Sequence, residues 1–157
     1  MGSEMCIRDS YNSVLNVMKQ ATSMLKPGIL LGDCHKEVGL VMQSELLGLG
    51  LIDQHDIDKQ DPKKPAYKKY FMHGTSHFLG LDVHDVGEYE NILFEPGMVI
   101  TVEPGIYINL LNNNVSEKWR GIGIRIEDDV LVTKNGNEVI TKDLAKERNE
   151  IEGLCNQ

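Results

Sequence analysis

Met72-His73-Gly74-Thr75-Ser76-His77-Phe78-Leu79-Gly80-Leu81-Asp82-Val83-His84-Asp85-Val86-Gly87 carries three of the chain's five histidines, spaced by four and by seven residues. A solvated charge run has a different composition: here imidazoles alternate with glycines and with side chains that belong inside a fold. Neutral imidazole is a common metal ligand and a common proton carrier near neutral pH. His73 and His77 have the spacing of two ligands on one helical turn, but that arrangement calls for a glutamate directly after the first histidine. Gly74 stands there instead, and Gly74, Gly80 and Gly87 oppose a long helix. The stretch reads as extended, bent chain entering and leaving a pocket.

Upstream of it, apolar residues recur at helical spacing. Val14, Leu15, Met18, Ala21 and Leu25 share one face of a helix beginning at Tyr11, which Lys26-Pro27-Gly28 stops. Asp33 is placed to cap a second helix, with Val38, Val41, Met42, Leu46 and Leu49 as its stripe and Gly48 and Gly50 at its end. Cys34 and His35 fall in its first turn, where His35 is expected at the surface. Ile52 to Lys69 is rich in Asp, Lys and Pro and reads as a connecting loop with a solvated His55 and room for one short helical turn. Met1 to Ser10 shows neither a hydrophobic period nor a secretory pattern. Met1-Gly2-Ser3 looks like an added start, and Met5 to Ser10 resembles a translated sequencing-adapter remnant. Residues 1–10 are therefore expected to be a non-native leader outside the fold, and residues 11–157 to form the domain.

Downstream the period changes to two. After a loop at Glu88–Asn91 and a turn at Glu95-Pro96-Gly97, Met98 to Val102 is a strand. Val99, Thr101 and Glu103 lie on one face and Ile100 and Val102 on the other. Pro104-Gly105 bends it, and Ile106-Tyr107-Ile108 continues it. Gly121 to Val132 reads as one further strand, with Ile122, Ile124 and Ile126 opposed to Gly123, Arg125 and Glu127. Asn135-Gly136 signals a hairpin into Glu138-Val139-Ile140, and Lys146 to Leu154 a short closing helix. Helices followed by antiparallel strands give an α+β fold with the helices on one face of the sheet.

A chain of 157 residues suffices for one domain with a core. Its net charge of −8 excludes a nucleic-acid groove, which needs a basic footprint. No apolar run reaches membrane-span length. Cys6, Cys34 and Cys155 are too scattered for a disulfide framework, which points to a reducing compartment.

Glu103 and Glu127 are the informative carboxylates. Both sit among β-branched apolar residues, where a charge is costly unless paired or bound to metal. Arg125 and Glu127 can also pair along a solvent-facing strand, and each histidine taken alone fits a core residue bonded to backbone. Three histidines and two strand carboxylates together favour a divalent ion such as Mn2+, Co2+, Zn2+ or Fe2+. Metal-assisted hydrolysis is then the leading chemistry.

Three motifs carry a resemblance. His73-Gly-Thr-Ser-His77-Phe-Leu-Gly-Leu-Asp-Val-His84-Asp, Thr101-Val-Glu103-Pro-Gly and Gly123-Ile-Arg125-Ile-Glu127-Asp128 resemble the C-terminal motifs of the Xaa-Pro aminopeptidase (aminopeptidase P) family, dinuclear metallopeptidases of the pita-bread fold. Gly-Thr-Ser before His77 favours this family over the similar prolidases, which act on Xaa-Pro dipeptides; a non-catalytic peptide-binding module of the same fold would have no need of the carboxylates. The resemblance implies His77, Glu103 and Glu127 as metal ligands, with Glu127 bridging two ions and Glu103 also handling the proton of the nucleophilic water. It implies His84 as a substrate-binding histidine that stabilises the transition state, His73 as a second pocket histidine, and Arg125 as the holder of the hydrogen-bond network. It further implies two divalent ions, Mn2+ foremost, peptides with proline at the second position as substrates, and a cytoplasmic location. The family's other two ligands are aspartates on a hairpin upstream of the helix that begins near Tyr11, and no matching segment is present. The chain is thus expected to be the C-terminal half of the catalytic domain, to hold at most one ion, to be inactive alone, and to form homo-oligomers or associate with the missing half.

Overall fold

A computed structural model describes residues 3–87, 89 and 91–156. Two long helices come first, α1 at Glu4–Met24 and α2 at Leu31–Gly48, packed against each other. A short helix α3 at Gln54–Asp58 and a 3-10 turn at Ala66–Lys69 follow, within the expected loop. The strands are β1 (Val99–Val102), β2 (Gly105–Tyr107), β3 (Gly123–Arg125), β4 (Asp128–Thr133) and β5 (Gly136–Val139), and helix α4 spans Arg148–Cys155. All pairings are antiparallel: β1-β4-β5 form one sheet and β2-β3 another. Helix α1 lies against β1, β2 and β3, and its Val14, Val17 and Met18 join Ile100, Val102, Ile106 and Val130 in the core. The α+β reading stands.

Helix α1 starts at Glu4, not at Tyr11. Ser3 caps it, its hydroxyl accepting from the Cys6 N–H at 3.3 Å, while the Ser3 N–H donates to the Lys118 carbonyl at 2.8 Å. The inward positions of these first turns are Cys6 and Ser10, both buried, whereas Met5 and Ile7 point to solvent. The helical period is present but is written in small side chains, so hydrophobicity does not show it. Met1 and Gly2 of the expected leader lie outside the described residues, as do Glu88 and Glu90 of the expected loop at Glu88–Asn91. Gly28, at φ 82°, follows the end of α1. The Asn137 side-chain amide closes that end, donating to the Thr22 carbonyl at 2.8 Å and the Leu25 carbonyl at 2.9 Å.

Three further local expectations shift. Asp33 does not cap α2: Leu30 does, without a side-chain bond, and Asp33 pairs with Lys36 in the exposed first turn. The hairpin's two turn residues are Lys134 and Asn135, one step earlier than the Asn-Gly signal suggests, because Thr133 pairs with Gly136. Gly121 to Val132 is not one strand but two, β3 and β4, in separate sheets.

That break does not disturb the register. Val102 faces Asp128 in one sheet and Gly105 faces Arg125 in the other, the same alignment continued, so Glu103 lies opposite Glu127. Pro104 lacks the N–H that a continuous ladder needs, and only a long bond of 3.4 Å, from Ile126 N–H to the Pro104 carbonyl, spans the gap. On the other flank of β1, the histidine-rich stretch runs alongside as an irregular antiparallel strand. Leu79 N–H donates to Val99 at 3.1 Å, Thr101 N–H to His77 at 2.9 Å and Glu103 N–H to Thr75 at 2.8 Å.

Cys6 and Cys34 are buried and Cys155 is exposed. Burial, then the Glu37 charge, pushes the Cys34 thiol up to about 11. In the native chain a thiol reagent should therefore modify Cys155 rapidly, and Cys6 and Cys34 only upon unfolding. Mass spectrometry after timed labelling reads this directly. Rapid labelling of Cys6 would show that α1 does not begin at Glu4.

Candidate metal centre

The three segments just described put one side chain each on the same face. His77 comes from the edge segment, Glu103 from the end of β1 and Glu127 from the break before β4. Their ligand atoms all lie within 4.8 Å of one another. Strand alternation sends Ile100 and Val102 into the core and leaves Thr101 and Glu103 on the site face.

Each ligand is held differently. The His77 Nδ1–H donates to the Phe78 carbonyl at 3.0 Å, which leaves Nε2 as a lone-pair donor aimed at Glu103 Oε1, 3.1 Å away. Two such atoms in contact repel unless a cation lies between them. The Thr101 hydroxyl links the pair, donating to Glu103 Oε1 at 3.1 Å and accepting the His77 backbone N–H at 3.1 Å. Arg125 stands at the rim, its Nε 3.7 Å from Glu103 Oε2 and 3.8 Å from Glu127 Oε2. Burial, then the Glu103 charge, raises the Glu127 carboxyl above its ordinary value, with Arg125 opposing. A neighbourhood of one imidazole and two crowded carboxylates fits a borderline divalent cation, which would offset the repulsion between them.

The other expected residues surround this trio. His84 is exposed, and its ring meets that of His77 edge-on at 4.3 Å between centroids. His73 does not offer a ligand nitrogen. Its Nδ1–H donates to the Gly74 carbonyl at 2.7 Å and its Nε2 accepts the Tyr107 hydroxyl at 2.9 Å. It presents its ring instead, edge-packed with Phe71 at 5.0 Å and Tyr107 at 5.3 Å.

Two residues of the site escape a reading of the sequence. Tyr107 shares a strand face with Glu103 by the same alternation, a signal that was available. Gly105 between them leaves room for its ring, since a Cβ there would lie 2.6 Å from the Tyr107 hydroxyl. Burial raises the Tyr107 phenol, which keeps its O–H as a donor to His73. His35, expected at the surface, is half-buried. Its Nδ1 accepts the Thr75 N–H at 3.2 Å and lies 2.8 Å from the Thr75 hydroxyl, anchoring the histidine segment to α2. Burial, then the charges of Lys68 and His73, lowers its pKa and keeps the ring neutral. No local pattern announces this contact between residues 40 apart in sequence.

The model of metallopeptidase family M24 matches residues 2–134. The chain belongs to metallopeptidase family M24. It is 44% identical over 150 residues to the Xaa-Pro aminopeptidase of Escherichia coli, an alignment covering 94% of this chain and 33% of that protein. Its backbone superposes on the Pseudomonas aeruginosa aminopeptidase PepP with a TM-score of 0.87 at 45% identity, covering 94% of this chain and 34% of that one. It superposes on E. coli aminopeptidase P with the inhibitor Pro-Leu with a TM-score of 0.86 at 42% identity, covering 98% and 35%. This M24 chain has the pita-bread fold of those proteins and spans about a third of their length.

Two measurements bear on the centre. Glu103→Gln should weaken binding of Mn2+ or Co2+ about a hundredfold, as read by calorimetry. In the metal-free chain, carbon-detected NMR should show Glu127 titrating above its ordinary value and moving down in Glu103→Gln. Because a cation needs the ionised carboxylate, affinity should fall as decreasing pH passes through this raised value. Titration of Glu127 at an ordinary carboxylate pH, unaltered in Glu103→Gln, would remove the crowding argument.

Proposed function

We propose that this chain carries the metal-binding segment of an Xaa-Pro aminopeptidase, which releases the N-terminal residue of a peptide whose second residue is proline. The convergence of His77, Glu103 and Glu127 within 4.8 Å is the observation that carries it. The likeness to Xaa-Pro aminopeptidases and to a structure with Pro-Leu supports the substrate class. When bound, divalent ions acidify water and polarise a peptide carbonyl. The family resemblance gives Mn2+ as the working ion and two ions for the whole enzyme. Three ligand side chains suffice for one ion here.

The chain's own residues divide the remaining work. Glu103 Oε2, free of the Thr101 hydroxyl, takes the proton of the nucleophilic water and returns it to the departing proline nitrogen. His84, with no hydrogen bond among the described residues, has a nitrogen available to the substrate carbonyl. His73, both nitrogens engaged, forms with Phe71 and Tyr107 an aromatic wall suited to a proline ring. Arg125, ion-paired loosely with both glutamates, holds their relative position.

The location we propose is the cytoplasm. Cys6, Cys34 and Cys155 are all free, and among the described residues no helix is long and apolar enough to cross a membrane. We also propose that the chain works as an oligomer or with the rest of the pita-bread fold.

The test is a chimera in which this chain replaces the matching segment of the E. coli enzyme. It should cleave Xaa-Pro-Yaa tripeptides in preference to Xaa-Pro dipeptides. In it, His84→Ala should lower kcat by about a hundredfold or more with metal content unchanged. Preference for dipeptides would make the segment that of a prolidase, and loss of metal in His84→Ala would reassign that residue. The isolated 157-residue chain should bind one divalent ion and show negligible turnover; two tightly bound ions with normal turnover would refute that expectation.

A further inference from the structure

Of the three ligands, Glu127 is the one its own surroundings hold least. His77 is fixed by the Phe78 carbonyl and Glu103 by the Thr101 hydroxyl. Among the described residues the Glu127 carboxylate has no hydrogen bond, only the Arg125 contact at 3.8 Å. It also stands where the ladder is weakest, beside Pro104. Its direction must come from the backbone on either side.

The next residue supplies a firm hold. Asp128 points to the opposite face, toward α1, where it lines a cavity with Leu15 and Met18. Its side chain is 4% exposed. Oδ1 accepts the Thr141 hydroxyl at 2.6 Å and pairs with Lys146 Nζ at 2.8 Å. The Thr141 oxygen accepts the Asp129 N–H at 3.0 Å, and the Ile140 N–H donates to the Asp129 carbonyl at 2.8 Å. Lys146 Nζ also donates to the Thr141 carbonyl at 2.7 Å, and the Tyr11 hydroxyl holds the Lys146 carbonyl at 2.7 Å. Residues 140–147 thus form a strap fastened across the first two residues of β4. A buried ion pair is weak as a source of stability compared with apolar packing, and its best-attested use is to specify one arrangement.

We propose that Asp128, clamped by Thr141 and Lys146, is a positioning residue for Glu127: it fixes the backbone from which the third metal ligand projects. The proposal rests on the reading of His77, Glu103 and Glu127 as a metal site. Its logic is that of outer partners that orient ligands, acting here through one peptide unit instead of a hydrogen bond to the ligand.

Visible absorption of Co2+ added to the 157-residue chain tests it, because band intensity at saturation reports the ligand geometry and not the folded fraction. Asp128→Asn should weaken Co2+ binding about tenfold and change the saturated spectrum. Thr141→Val, which keeps the side-chain shape, should shift both in the same direction by less. Lys19→Met breaks the exposed Lys19–Glu147 pair on the same strap and should change neither. Should Asp128→Asn fail to fold, Thr141→Val and Lys146→Met decide the matter. Wild-type affinity and spectrum in those variants overturn the positioning role and leave the metal site standing. So does weaker binding with an unchanged saturated spectrum, which is the mark of a purely structural role. No Co2+ uptake by the wild-type chain removes the metal site and this proposal together.

Discussion

The ladder along β1 is the constraint on which the site depends. Backbone bonds align the histidine segment with β1 on one side and the stretch before β4 on the other, and those two alignments bring His77, Glu103 and Glu127 to one face. A slip of one residue would turn a candidate ligand toward the core and bring Ser76 or Phe78 in one pairing, or Ile126 or Asp128 in the other, to the site face. The apolar partners guard against that slip. Ile100, Val102 and Val130 are fully buried, so the hydrophobic core and the ligand set are specified by the same register.

The electrostatics of the site follow from this crowding. Two carboxylates stand opposite each other with one half-exposed arginine to offset them, and Arg125 reaches both only at ion-pair distance. Its distance keeps it from quenching the charge altogether. The result is a pair of carboxylates with one loose counter-charge, while the neighbouring His73 and Tyr107 satisfy each other through a hydrogen bond.

Much of this was legible from residues alone. The alternation in Val99–Glu103 and in Ile122–Glu127 announced extended chain and the face that each glutamate takes on its own segment, and the three motifs nominated the candidate ligands. What was not legible depends on pairing across long stretches of chain. The division of Gly121–Val132 into two strands follows from Pro104, a residue on the partner strand. The role of His35 follows from Thr75, and the burial of Asp128 from Thr141 and Lys146. The start of α1 was hidden for another reason: its inward positions are Cys6 and Ser10, which carry almost no hydrophobic signal.

Helix α1 also bears on how the protein is made. Its capping residue Ser3 is tied to Lys118, its last turn to Asn137, and its exposed flank to Glu147 and Glu152. An element early in this chain is thus completed by elements late in it. During translation α1 and α2 can pair as a helical hairpin, but the face of α1 that receives the strands stays bare until residues of β3 to β5 emerge. Between the emergence of α1 and that of β5 the nascent chain therefore carries an apolar surface, and it is at that stage, before the sheet closes over the helix, that a chaperone has something to hold.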